Sequence, residues 1–447
     1  MTNHLLVLGA GQSAPALIRD VLMQAQRHDW QVVVADRDIE LAQRRVQDHP
    51  RGRCITVDAR DDRALAKLIA AAKVVVNFLA PAFQLPVAKL CVEHRRHMVS
   101  ASYLDPKVKA LDAAASDSGV TLLTEMGLDP GMDHMSVMRL LDRIHGDGRR
   151  VRRFISYGSG VPAPEDRSNP LGYAVTWNPR NVVMAGETGA MYLEDGREQI
   201  APYPEVFRRG WSVDVPGVGS MEAYPNRNAL KYRSVYNIES AQTLIRATMR
   251  YPGYIKIWYA IAKLGMPNDR IVVPKLKSKS FAELTAMFVQ TGRASLPDRV
   301  AQALCVKPDD QLIADLTWLG LFDDRRIGSL GDPGGTAAGA LTLLLSDRLR
   351  LQPGQKDMVI LHHEIEAKGP DGDAGTYRST LVHRGEPSGI TAMARTVGLP
   401  SAIAARLLMT DAFPRRGALI PTDRSVYEPV LMELASYGLH FDESAPS

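Results

Sequence analysis

Short apolar runs recur through the first 125 residues, with amphipathic segments between them. The runs are Leu5–Leu8, Val32–Ala35, Ile55–Val57, Val74–Val76, Met98–Val99 and Val120–Leu123. Each is too short for a helix and apolar but for Thr56 and Thr121, the pattern of a strand covered on both faces. Between the first two, Ala14, Leu17, Ile18, Val21, Leu22 and Ala25 fall on one helical face. Leu65, Leu68 and Ile69 form a second stripe, and Val108, Leu111, Ala114 and Ala115 a third. Pro106 opens that third stripe at a first-turn position, where its missing N–H costs nothing. Buried strands alternating with amphipathic helices predict a doubly wound α/β domain around a parallel sheet.

After Gly127 the texture changes. Residues 151–260 gather Pro, Gly, Tyr and Arg in turn-rich clusters, which predicts a mixed sheet with long loops. From about 280 to 350 the pattern is mostly helical, with Leu341–Leu345 buried. Met358–Ile365 and Tyr377–Val382 are expected to pair across the Gly-Pro-Asp-Gly turn at 369–372, and Thr391–Leu408 to form a last, Ala-rich helix.

Composition narrows the class. With 447 residues, two or three domains are expected, and 45% apolar residues supply their cores. The net charge of +4 is spread along the chain, which argues against a nucleic-acid partner. Cys54, Cys91 and Cys305 have no metal-ligand spacing and fit a reducing cytoplasm better than a disulfide scaffold. The chain enters its first strand pattern without a charged n-region, so no signal peptide is expected. No apolar run approaches the ~18 residues of a membrane span.

The first chemical signal is Gly9-Ala10-Gly11-Gln12-Ser13-Ala14, between the first strand and the first helix. This is the Gly-x-Gly-x-x-Ala dinucleotide fingerprint: a tight turn at Gly9, close pyrophosphate approach at Gly11, and a small Ala14 for close packing. Gln12 and Ser13 lead into the helix, whose free N–H groups attract phosphate. Asp36 ends the second strand, where a carboxylate accepts ribose hydroxyls and favours NAD; Arg37 beside it keeps NADP open. Asp58 and Asn77 end the third and fourth strands, as adenine and ribose contacts or as loop caps.

Two further clusters stand out. In Gly127-Leu128-Asp129-Pro130-Gly131-Met132-Asp133-His134, Pro130-Gly131 makes a turn and Asp133 is expected to cap the helix through Ile144. Asp129 then sits at the carboxyl edge of the sheet. Tyr224-Pro225-Asn226-Arg227 and Arg246-Ala247-Thr248-Met249-Arg250-Tyr251 set three arginines among aromatics, a composition suited to clamping carboxylates. His362-His363-Glu364 lies on a strand, where neighbours face opposite ways, so no metal centre is expected.

Together these segments resemble saccharopine reductase, the glutamate-forming saccharopine dehydrogenase family. Further carriers are Ala101-Ser102-Tyr103, Ser156 to Glu165, Asn169 to Tyr173 and Ala392 to Pro400. The resemblance implies a Rossmann domain from 1–130 and 387–447, and a substrate and dimerisation domain at 131–386 with a helical lobe at about 255–350. It implies that saccharopine, NAD(P)+ and water give glutamate and 2-aminoadipate semialdehyde, in a homodimer. Ser102, Tyr103 and Asp129 would line the reacting centre, with Tyr103 and Asp129 as acid–base candidates. Arg227, Arg246, Ala247 and Thr248 would bind substrate carboxylates. Gly158 stands where the family carries a cysteine, and Ala80-Pro81 where it carries Pro-Tyr. A dehydrogenase for another carboxylated secondary amine, such as carboxynorspermidine, and a non-catalytic NAD-binding regulator are the alternatives.

Overall fold

The structure is a computed structural model that describes residues 3–184, 189–386 and 389–446. The chain divides into two compact units, Met1–Arg149 with Gly389–Ser444, and Arg150–Ser388 with Ala445–Ser447. Residue 387, the expected point of re-entry into the first unit, lies outside the described residues. The first division falls after helix Met132–Gly146 rather than near 130, because that helix packs on Arg424–Ser436 of the same unit.

In the first unit, β1 (His4–Leu8), β2 (Gln31–Asp36), β3 (Gly52–Thr56), β4 (Val74–Asn77), β5 (His97–Ser100) and β6 (Thr121–Leu123) form a parallel sheet. Its order is β6-β5-β4-β1-β2-β3, with Gly417–Leu419 added beside β6. The order reverses between β1 and β4, and the crevice outside the carboxyl ends there is where such sheets bind ligands. Leu5, Val7 and Leu8 are fully buried, as an all-apolar central strand requires. Helix Pro15–His28 follows the glycine loop, and Ala392–Met409 packs along it. A Cβ on Gly398 would stand 2.8 Å from the Leu17 backbone nitrogen, so the two helices approach through glycine.

Helix periodicity misses two short helices, Ile39–Val46 and Gln84–Glu93. The first is set by its cap, Asp38, whose carboxylate accepts the Leu41 N–H. The stripe from Val108 to Ala115 is two pieces, Pro106–Lys109 and Asp112–Asp117. At the start of the second piece, the Asp112 carboxylate accepts the Ala418 N–H of the edge strand at 2.7 Å.

The second unit contains β7 (Arg150–Pro162), β8 (Ala190–Glu194), β9 (Arg197–Ala201), β10 (Trp211–Val215), β11 (Gly219–Pro225), β12 (Arg227–Asn228), β13 (Thr243–Arg250), β14 (Asp357–Lys368) and β15 (Ala374–Arg384). The main path is β10-β11-β13-β7-β14-β15, and β8 carries β9 and β12 as a side branch. β7 runs parallel to β13 and antiparallel to β14, the mixed sheet expected from its turn-rich sequence. The β14–β15 turn closes with the Gly369 N–H on the Asp373 carbonyl. Helices Tyr254–Leu264, Phe281–Ala286, Leu296–Leu304, Gln311–Leu319 and Ala337–Arg348 occupy the helical stretch.

Candidate active site

The glycine loop is built as its sequence requires. Gly9 has φ +98°, and a Cβ there would stand 2.9 Å from the Phe78 carbonyl oxygen. Its N–H donates to the Ala35 carbonyl, so the turn is held from both neighbouring strands. At Gly11 a Cβ would meet nothing within 4 Å, which leaves the backbone open to a pyrophosphate. Gln12 is exposed and Ser13 half-buried at the head of a 14-residue helix with Pro15 in its first turn. The loop therefore fits a dinucleotide, with the helix N-terminus supplying N–H groups and partial positive charge.

The acidic residues around this loop are more occupied than their positions suggest. Asp36 accepts the Ala10 N–H at 2.7 Å through Oδ2 and the Asp38 N–H at 2.9 Å through Oδ1. It ties the glycine loop to the end of β2, which is a structural task. Arg45 donates to the Ala10 carbonyl from the far side, and Arg37 is exposed. Asp58 forms a two-pronged pair with Arg60, which holds its carboxyl down at about 2. Asn77 is buried and accepts the Leu79 N–H, shaping the turn against which Gly9 rests.

Two residues singled out from sequence meet at the carboxyl edge of β5 and β6. The Tyr103 hydroxyl donates to Asp129 Oδ1 at 3.2 Å, both side chains within the first unit. Ser102 lies beside them, its N–H on Ser100 Oγ and its carbonyl accepting the Glu125 N–H. Asp129 precedes a cis peptide to Pro130, in a turn closed by the Gly127 N–H on the Pro130 carbonyl. Gly131 has φ +148°, and a Cβ there would collide with Gly127, so only glycine fits. Asp133 is not the helix cap: Gly131 takes that position, and Asp133 reaches back from the first turn to accept the Gly131 N–H at 2.6 Å.

In the second unit Arg246, Ala247 and Thr248 lie on β13, paired with Ser156, Tyr157 and Gly158 of β7. The Arg246 guanidinium stacks over Tyr232, 4.7 Å from the ring centre, and is buried. Such a stack desolvates and orients the planar fork. Arg227 follows Asn226, whose N–H donates to the Arg246 carbonyl, and it has a left-handed backbone, φ +57°. Thr248 hydrogen-bonds Tyr224, whose phenol is raised by burial against the lowering effect of Arg250 and this bond. Arg250 is different: it is boxed between Tyr173 and Tyr254 and donates to the Met249 carbonyl. A cavity of about 490 Å³ opens at Thr243 and Ile245, on the β13 face opposite Arg246 and Thr248. Gly158 leaves no side chain between Tyr157 and Ser159, and Ser159 donates to the Met249 carbonyl.

Sequence reasoning did not single out Glu125, Gln84, Arg45 or Tyr232. Glu125 is buried in a left-handed conformation and accepts the Leu104 N–H; Gln84 is buried and accepts the Asp105 N–H. An acidic residue inside the apolar stretch from Val120 to Met126 is the one signal that marked Glu125.

A dinucleotide loop at the switch point of a parallel sheet, with a phenol–carboxylate pair at the same edge, defines an NAD(P)-dependent oxidoreductase. Residues 5–123 match the family described as saccharopine dehydrogenase NADP binding domain, and 127–439 the saccharopine dehydrogenase C-terminal domain. The chain belongs to the saccharopine dehydrogenase family. It is 31% identical over 454 residues to a saccharopine dehydrogenase [NADP(+), L-glutamate-forming] of Pyricularia oryzae, covering 99% of each chain. It is 33% identical over 390 residues to the mitochondrial alpha-aminoadipic semialdehyde synthase of Bos taurus, covering 86% of this chain and 42% of that one. Its fold matches apo saccharopine dehydrogenase (L-Glu forming) from Saccharomyces cerevisiae, with TM-score 0.87, 29% identity and full coverage of both chains. Among the described residues no helix is long and apolar enough to cross a membrane, and no group of three or more His, Cys, Asp or Glu is placed to hold a metal ion.

Proposed function

We propose that this chain oxidises saccharopine with NADP+ and water, releasing L-glutamate and 2-aminoadipate 6-semialdehyde. The observation that carries the reading is the match over 99% of both chains to an enzyme of that name. The first unit is then the dinucleotide-binding domain and the second the substrate-binding and dimerisation domain. Three free thiols, Cys54, Cys91 and Cys305, support a reducing compartment such as the cytoplasm.

The bound nicotinamide supplies the hydride acceptor. Gly9 makes the turn, and Gly11, Gln12 and Ser13 would hold the pyrophosphate on backbone N–H groups at the helix N-terminus. NADP is favoured over NAD: both Asp36 oxygens already accept backbone N–H groups, and the exposed Arg37 beside them supplies charge for a 2′-phosphate. Arg246, oriented by Tyr232, and Arg227 hold substrate carboxylates, with the Ala247–Thr248 backbone alongside. Saccharopine must lose a proton from its secondary amine as the adjacent carbon is oxidised to an imine. Water then adds, and the product collapses to aldehyde and amine. Tyr103 takes and returns these protons at its phenol oxygen, with Asp129 Oδ1 accepting from the hydroxyl and Ser102 beside the pair.

The test is absorbance at the reduced-nicotinamide band with saccharopine or carboxynorspermidine, each with NADP+ and NAD+. The reading requires turnover with saccharopine and a lower KM for NADP+. Turnover with carboxynorspermidine alone would transfer the chain to that substrate class, and no turnover with any secondary amine would leave a dinucleotide-binding regulator.

A further inference from the structure

Beneath Tyr103 and Asp129 lies a buried row of three ionisable side chains that the chemistry above does not use. Glu125 and Asp133 are each 1% exposed and His134 is fully buried. His134 Nε2 lies 2.6 Å from Glu125 Oε2, and its Nδ1 lies 3.7 Å from Asp133 Oδ2. One imidazole thus hydrogen-bonds one carboxylate and lies beside a second inside the first unit.

Each carboxylate grips one of the two segments that carry the acid–base candidates. Glu125 Oε1 accepts the Leu104 N–H at 2.9 Å, and the Glu125 N–H donates to the Ser102 carbonyl at 3.0 Å. Tyr103 is therefore clamped on both sides by one residue. Asp133 Oδ1 accepts the Gly131 N–H at 2.6 Å, two residues beyond Asp129, in a turn the Gly127 and Met132 N–H groups also close. Buried charged groups are costly unless paired, so a row this deep is retained against that cost. Its side chains add a link between residues 102–104 and residues 127–131 to the one the backbone makes.

We propose that His134 is a positioning residue: by binding Glu125 beside Asp133 it sets the separation of the Tyr103 hydroxyl and Asp129. This rests on the roles given above to Tyr103 and Asp129, and His134 touches neither substrate nor cofactor. Without the imidazole the buried Glu125 carboxylate loses its contact at 2.6 Å, and the segments the two carboxylates hold shift.

The experiment compares His134→Phe, which keeps a ring but no nitrogen, with His134→Gln, which keeps a donor toward Glu125. His134→Phe is expected to lower kcat by about 10²-fold, the cost of a misplacement near 1 Å, with the cofactor KM unchanged. His134→Gln recovers most of that loss. In the double variant Tyr103→Phe/His134→Phe, kcat falls no further than in Tyr103→Phe alone, because both act on one contact. Losses that multiply in full, or fall equally on the cofactor KM, would overturn the proposal. A readout independent of substrate identity is the ¹⁹F resonance of 3-fluorotyrosine at Tyr103, assigned among the 14 tyrosines by its disappearance in Tyr103→Phe. It should shift in His134→Phe and return in His134→Gln; an unmoved resonance contradicts the proposal even if saccharopine proves not to be the substrate. Where His134→Phe does not fold, Glu125→Gln, which removes the charge facing the imidazole, should displace the same resonance.

Discussion

Two glycines of one loop should respond in opposite ways to the same small change. In Gly9→Ala the new methyl stands 2.9 Å from the Phe78 carbonyl oxygen, at a backbone φ of +98°. A side chain at positive φ costs about 1–2 kcal/mol before the overlap is counted, and Phe78 is backbone and cannot step aside. A loss of at least about 2 kcal/mol is expected, seen as a lower Tm. In Gly11→Ala the methyl meets no atom within 4 Å and φ is not positive, so the fold should be unchanged or gain up to about 1 kcal/mol. Its cost falls on the cofactor: losing one charge-assisted contact to pyrophosphate is worth about 1.5–3 kcal/mol, or about 10- to 100-fold in cofactor KM. Thermal melts and steady-state kinetics on the two variants separate the effects. A normal cofactor KM in Gly11→Ala would refute the assignment of this loop to the pyrophosphate.

His97 is half-buried, with Nδ1 accepting the Thr121 N–H, and its partial burial, helped by Arg416, lowers it to about 4. A depressed histidine binds fewer protons folded than unfolded, so stability is full above the unfolded value of about 6.5 and falls by up to roughly 3 kcal/mol as pH drops toward 4. Urea unfolding of wild type and His97→Gln across that range should show the slope flatten in the variant. Burial raises the thiols of Cys91 and Cys54, whereas Cys305 is exposed at a helix end. A thiol reagent under native conditions should therefore label Cys305 without loss of activity, since position 158 carries no sulfur; inactivation on labelling would contradict this. Arg246→Ala should raise the saccharopine KM by about 10- to 100-fold, and Arg246→Lys should restore little, because an ammonium lacks the planar stack on Tyr232. An unchanged KM in Arg246→Ala would remove Arg246 from the substrate contacts.

The fold was legible where burial alone decides the pattern. The six apolar runs fall on the six strands β1 to β6, five of them because a strand inside a parallel sheet has no solvent face to require polar residues, and β3, at the edge, only at its end. Ile39–Val46 was not legible because a short helix is set more by its Asp38 cap than by a stripe. The Gly9–Gly11 spacing marked the tight turn and the open backbone of the loop, and Pro130-Gly131 marked the turn after Asp129. Asp36 has a position that suits a ribose contact, while its hydrogen bonds to the Ala10 and Asp38 N–H groups are facts the sequence does not carry. Tyr103 and Asp129 are 26 residues apart, and their hydrogen bond depends on the β5 and β6 ends lying side by side, a tertiary fact. The same holds for Glu125, whose role is defined by partners on two other segments.

The central claim is tested most directly by product analysis after complete turnover of saccharopine with limiting NADP+. Chromatography with mass detection should find L-glutamate and 2-aminoadipate semialdehyde, each equal to the reduced cofactor formed. Lysine and 2-oxoglutarate in their place, or reduced cofactor without glutamate, would contradict the account.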